Sequence, residues 1–169
     1  ATTRLLSLNL ENVPKIETII FNGVAGSAEL GINQWDIVIP DELVQYDMDA
    51  SPIFETFVIP SLKVSELKTN IEIINWAKNN IRNFLSRNPN MPFGKIYGGL
   101  VGTGDNFISE EYFLDKIKRK LPSLVAIEME GASFAQVAIQ EKINWLVIRV
   151  ISDNAKSSAP ESFKEFIEN

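Results

Sequence analysis

The chain contains neither cysteine nor histidine in its 169 residues. The first absence removes disulfides, thiolate nucleophiles and cysteine-held metals; the second removes the commonest metal ligand and the usual general base. Any catalysis must run on carboxylates, hydroxyls, amides and arginine. Basic clusters are also scarce. Lys and Arg number 16 against 22 Asp and Glu, a formal charge of −6, so the basic stripe that a nucleic-acid partner requires is missing. No apolar run is long enough to cross a bilayer, and the first residues lack the charged, apolar and cleavage regions of a secretion signal. The expectation is a cytoplasmic protein with no membrane partner. A hydrophobic fraction of 45% with mean hydropathy of +0.01 gives one globular domain, residues 1–169, with bulk for a real core.

One stretch organises the rest: Leu124-Val125-Ala126-Ile127-Glu128-Met129-Glu130-Gly131-Ala132. An apolar strand delivers two carboxylates two residues apart, and a helix opens at Ala132 and runs to Gln140. Side chains at i and i+2 of an extended chain share a face, so Glu128 and Glu130 leave the strand end together, where open parallel sheets bind ligands. The competing reading has Glu130 supporting the first helical turn through the dipole. A second apolar strand, Ile143 to Ile151, is broken only by Arg149, which needs an anion beside it. Its natural partner is a carboxylate on the neighbouring strand. That strand ends in Ser152-Asp153-Asn154-Ala155, where Asp153 reads equally as a desolvated general acid and as a cap for the next segment.

Elsewhere, residues 1–8 have helical spacing, and Asn12-Val13-Pro14 breaks it. The strand Ile16 to Phe21 runs into Asn22-Gly23-Val24-Ala25-Gly26-Ser27, a tight strand-to-loop turn or a close backbone approach. A run from Trp35 to Pro40 continues through Leu43 and Val44. Residues 50–62 form a long loop whose Phe54 and Phe57 pack on a ligand, a partner subunit or their own core. Val64 to Leu85 carries a helical apolar stripe, Lys95 to Val101 reads as a strand, and Ser109 as the cap of a helix ending in Lys118-Arg119-Lys120. The class is α/β, with a mostly parallel or mixed central sheet flanked by helices.

Five strings now stand in order: Asn22-Gly-Val-Ala-Gly-Ser27, Gln45-Tyr-Asp-Met-Asp49, Gly102-Thr-Gly-Asp-Asn-Phe-Ile108, Ile127-Glu-Met-Glu-Gly-Ala132 and Arg149-Val-Ile-Ser-Asp-Asn-Ala155. Together they resemble the nucleoside phosphorylase superfamily, and most closely its bacterial nucleosidases. The resemblance implies cleavage of the N-glycosidic bond of an adenine nucleoside, in a homodimer, without metal or organic cofactor. It makes Asp153 the acid that protonates N7 of the leaving adenine, with Ser152 holding its carboxylate. Glu130 grips the ribose hydroxyls and Met129 packs on the sugar. Phe107 stacks on the purine and the Ile108 backbone reads its edge. Arg149 and Glu128 organise the ribose and water side, Ala25 and Gly26 complete the substrate-binding set, and Val24 carries no polar role. Carboxylates suit a reaction that builds positive charge on a sugar.

The resemblance also implies a preceding strand, a glycine-containing turn and a water-activating acid, so the expectation is a fragment lacking N-terminal strands and the last helical turns. Such a piece would expose sheet edge and apolar surface. Residues 50–62 correspond to the region that closes over the 5′ substituent, here with an altered sequence. Hydrolysis is favoured over phosphorolysis by the Gly-Asp-Asn-Phe-Ile string and by the lack of an Arg just after Asp153; a nucleoside-binding relative without turnover is the remaining alternative.

Overall fold

The computed structural model describes residues 2–6, 16–155 and 158–168. The expected break at Asn12–Pro14 lies outside the described residues. The first helix, α1 (Thr2–Leu6), is followed by β1, which spans Thr18–Ser27. The turn expected over Asn22–Ser27 is instead strand. Those small residues pair in parallel with β8 (Asn144–Asp153), from Thr18 opposite Asn144 to Gly26 opposite Asp153, with one irregularity between Ala25 and Gly26.

The eight described strands form one mixed sheet. Its order is β4 (Glu66–Lys68), β3 (Glu42–Gln45), β6 (Leu100–Thr103), β7 (Leu124–Glu128), β1, β8, β2 (Ile37–Val38) and β5 (Ile96–Tyr97). Pairing is parallel at β3/β6, β6/β7, β1/β8 and β2/β5, and antiparallel at β3/β4, β1/β7 and β2/β8. The long apolar strands β7 and β8 are buried over most of their length, as strands covered on both faces must be. β1 pairs with β7 through Gly26 and Ser27, and Ile20, earlier on β1, is 50% exposed.

Four expected boundaries move. The run from Trp35 to Val44 splits at Pro40-Asp41, sending β2 to one side of the sheet and β3 to the other. The helix expected from Val64 starts at Ile71: Glu66, Leu67 and Lys68 alternate exposed, buried, exposed as the edge strand β4, and Asn70 Oδ1 then accepts the Glu72 amide at 2.9 Å to open α2 (Ile71–Arg87). Gly99, at φ +126°, divides the expected strand at Lys95–Val101 into β5 and β6. Ser109 is not a cap. Glu110 holds that position before α3 (Glu111–Lys120) and makes no side-chain cap bond.

Behind the sheet lies α4 (Gly131–Gln140), whose Ala132, Phe134, Ala135 and Ala138 pack with Leu43, Val101, Ala126 and Val147. On α2 the expected stripe is real: Ile74 and Ala77 are buried against Ile37, Ile39 and Leu146. The last helix, α5 (Ala159–Glu168), follows β8. Among the described residues, no helix is long and apolar enough to cross a membrane.

Candidate active site

Where β6, β7, β1 and β8 lie side by side, four residues line up across the sheet: Thr103 opposite Glu128, and Gly23 opposite Arg149. The strand carrying Arg149 does not neighbour the strand carrying its carboxylate, contrary to expectation, because β1 lies between them. The guanidinium crosses at Gly23, where a Cβ would collide with Arg149 Nη1. Arg149 Nη2 pairs with Glu128 Oε2, and both side chains are 1% exposed. The guanidinium also lies over the Phe21 ring, 4.4 Å from its centroid, while its Nε has no hydrogen-bond partner among the described residues.

Glu128 is held from three further directions. Thr103 Oγ1 donates to its Oε1, and the amides of Gly131 and Glu130 donate to Oε2 at 2.7 and 3.1 Å. Thr103 Oγ1 accepts in turn from the Ala132 amide at 2.9 Å. The buried carboxylate therefore sits on the first amides of α4, which lack partners within the helix and carry the positive end of its dipole. Glu128 supplies the side-chain hydrogen bonds at this helix start; Glu130 occupies the N-cap position, its side chain making no cap bond. The two acids do reach one place, lining the same cavity and both approaching Arg149 Nη2, but they differ in burial. β7 ends at Glu128, the chain bends at Met129, and the Glu130 side chain emerges 61% exposed, 3.8 Å from Arg149 Nη2. The alternation of an extended chain stops where the strand stops.

Asp153 closes β8 and is 6% exposed. Ser152 Oγ donates to its Oδ2 at 2.8 Å, and the Ala155 amide donates to Oδ1 at 2.8 Å. Ser152 Oγ also lies 3.4 Å from Ala25 O. The bond to Ala155 is an Asx-type turn, whereas α5 begins only at Ala159. Gly26 makes room for this carboxyl: a Cβ there would lie 2.9 Å from Asp153 Oδ1 and 3.0 Å from Ala155 Cβ.

These strand ends open onto a cavity of about 210 Å³. It is lined by the expected Ala25, Gly26, Phe107, Ile108, Glu128, Met129, Glu130, Ser152 and Asp153. Arg149 does not line it and sits buried behind Glu128. Val24, Asn106, Ile127, Ala155 and Phe163 complete the wall. Phe163 escaped sequence reasoning, although the aromatic pair Phe163 and Phe166 at helical spacing was a signal. Its ring meets Phe107 edge-on, with centroids 6.1 Å apart. α5 is pinned by Gln34 Nε2, which donates to Ser152 O and Ser162 O at 2.8 and 3.0 Å, and by Phe166 against Trp35 at 4.2 Å. Among the described residues, none from 50–62 lines the cavity. The second half of that loop folds onto the core, with Ile59 2% exposed and Phe57 packed against the cluster of Val44, Leu114 and Leu124.

An α/β sheet whose strand ends bring acids to an aromatic-walled cleft defines a small-molecule site built on carboxylate chemistry. The family model of the phosphorylase superfamily matches residues 1–169, and the chain belongs to that superfamily. It is 32% identical over 155 residues to the 5′-methylthioadenosine/S-adenosylhomocysteine nucleosidase of Buchnera aphidicola (strain APS), a match covering 91% of this chain and 63% of that protein. Among solved structures, the nucleosidase of the same name from Neisseria meningitidis, in complex with methylthio-immucillin-A, superposes with a TM-score of 0.80 at 27% identity over 90% of this chain and 63% of that one. The Colwellia psychrerythraea enzyme in complex with adenine gives a TM-score of 0.80 at 31% identity, covering 90% and 60%. The chain thus spans 63% of the length of the Buchnera relative.

Proposed function

We propose that this chain carries the base- and ribose-binding part of an N-ribosyl hydrolase that releases adenine from 5′-methylthioadenosine and S-adenosylhomocysteine. The observation that carries this reading is the pairing of two acids on one cavity: Asp153, buried and oriented by Ser152 and the Ala155 amide, and Glu130, exposed towards the same space. As the bond from C1′ to N9 breaks, its electron pair goes to the base and a cationic sugar remains. Asp153 gives a proton to N7, so adenine leaves neutral. Glu130 accepts hydrogen bonds from the ribose hydroxyls and stabilises the sugar cation; water adds to it and releases a proton to solvent, from which Asp153 is reprotonated. Met129 packs on the sugar, Phe107 stacks on the purine, and the Ile108 backbone reads its edge. Glu128, on the cavity wall, and Arg149 behind it hold the Glu130 amide and the start of α4. The relatives solved with adenine and with methylthio-immucillin-A support the ligand class.

The enzyme works in the cytoplasm as a homodimer; exposed Ile53, Tyr112 and Phe113 support a second copy as the cover for apolar surface. Asp153→Asn tests the chemical role. Loss of a general acid lowers turnover by about 10²–10⁴-fold while adenine binding stays within a few-fold. Unchanged turnover would remove Asp153 from the reaction, and adenine binding without turnover in the unsubstituted chain would leave a binding role alone.

A further inference from the structure

The segment just after β3 grips the loop that carries the base-facing residues. Tyr46 continues the β3/β6 ladder, its amide donating to Thr103 O at 2.9 Å. Its ring lies along two glycines of the facing chain: a Cβ on Gly102 would sit 3.1 Å from Tyr46 Cδ1, and one on Gly104 would sit 2.6 Å from both Cε2 and the hydroxyl. Those glycines are the space the ring occupies. Beyond the ring, Tyr46 Oη donates to Asn106 O at 3.4 Å, and Asp47 Oδ2 accepts the Asp105 amide at 2.8 Å. Tyr46 and Ile108 pack on one apolar cluster with Leu114, Leu124 and Ile127. Burial, and then the charges of Asp47, Asp105 and Glu128, push the phenol up to about 12, which keeps it a donor across the physiological range.

We infer that Tyr46 and Asp47 are positioning residues that hold residues 104–108 in the shape presenting Phe107 and the Ile108 backbone to the purine. This rests on the adenine-nucleoside reading above. Neither residue lines the cavity, so any effect on binding passes through the loop. Two measurements test it on the full chain: adenine affinity by calorimetry and amide hydrogen exchange over residues 104–108, for the unsubstituted protein, Asp47→Ala and Asp47→Asn. Because this hydrogen bond to a carboxylate is solvent-exposed, its loss predicts adenine binding weakened about 5- to 20-fold in Asp47→Ala, with faster exchange confined to 104–108 and the thermal midpoint little moved. Asp47→Asn keeps an acceptor for the Asp105 amide and restores both. Exchange over 104–108 that is equal in Asp47→Ala and the unsubstituted chain would overturn the inference, as would an Asn variant no better than Ala. Failure of the unsubstituted chain to bind adenine would instead sink the functional reading, with the exchange comparison still deciding the clamp.

Discussion

Replacing Glu128 by glutamine keeps an acceptor but removes the buried countercharge of Arg149, a fully buried cation then left with the Phe21 ring at 4.4 Å and, as its nearest carboxylate, the exposed Glu130 at 3.8 Å. Replacing Arg149 by methionine leaves Glu128 with Thr103 Oγ1 and the amides of Gly131 and Glu130, at a helix end that favours an anion. The two halves of one ion pair are therefore unequal. Breaking a buried pair so that a charge is stranded costs about 3–5 kcal/mol, whereas losing one charge-assisted hydrogen bond costs about 1.5–3 kcal/mol. Glu128→Gln should fall in the first range and Arg149→Met in the second. Combining them should recover part of the loss of Glu128→Gln, because the stranded cation is gone. Domains of this kind are stable by about 5–15 kcal/mol, so the differences are large in a urea titration with a shared slope. An Arg149→Met variant that is as destabilised as Glu128→Gln, or a double variant worse than both, would refute the assignment of α4's amides as the second holder of Glu128.

Gly26→Ala places a methyl 2.9 Å from Asp153 Oδ1; the displaced carboxyl should lower turnover by about 10²-fold, at a stability cost of about 1–3 kcal/mol, read by steady-state kinetics beside denaturation. Tyr46 titrates at about 12 against an ordinary 10.0, a raised value, so its contribution is complete below pH 10 and is lost as pH climbs through about 12, where the folded state also ionises. Urea midpoints taken across that window should decline more steeply for the unsubstituted chain than for Tyr46→Phe, and equal slopes would contradict a protected phenol.

Much of this architecture is legible in the sequence wherever one residue pattern has one structural meaning. The apolar runs at Leu124–Ile127 and Ile143–Ile151 are strands, and the stripe through Ile74 and Ala77 is a helix face. Two kinds of feature were hidden. Short strands such as β2 and β4 carry too few residues to show a period, so Glu66-Leu67-Lys68 merged into the helix that follows. Relations across the sheet depend on strand order, which no local pattern encodes: Gly23 reads as a turn glycine until β1 is seen to lie between Arg149 and Glu128. Asp153 and Glu130 stood out as acids at strand ends, yet the difference between buried Glu128 and exposed Glu130 arises from the bend at Met129. Phe163 reaches the cavity through the docking of α5, which Gln34 and Trp35 fix from far along the chain.

The most direct test is chromatographic analysis of products after incubating the chain with 5′-methylthioadenosine, in parallel with and without phosphate. Hydrolysis gives adenine and free methylthioribose in equal amounts in both. A sugar phosphate formed only with phosphate would contradict hydrolysis, and no adenine in either would contradict the claim that the acids gathered on this cavity cleave the glycosidic bond in this chain.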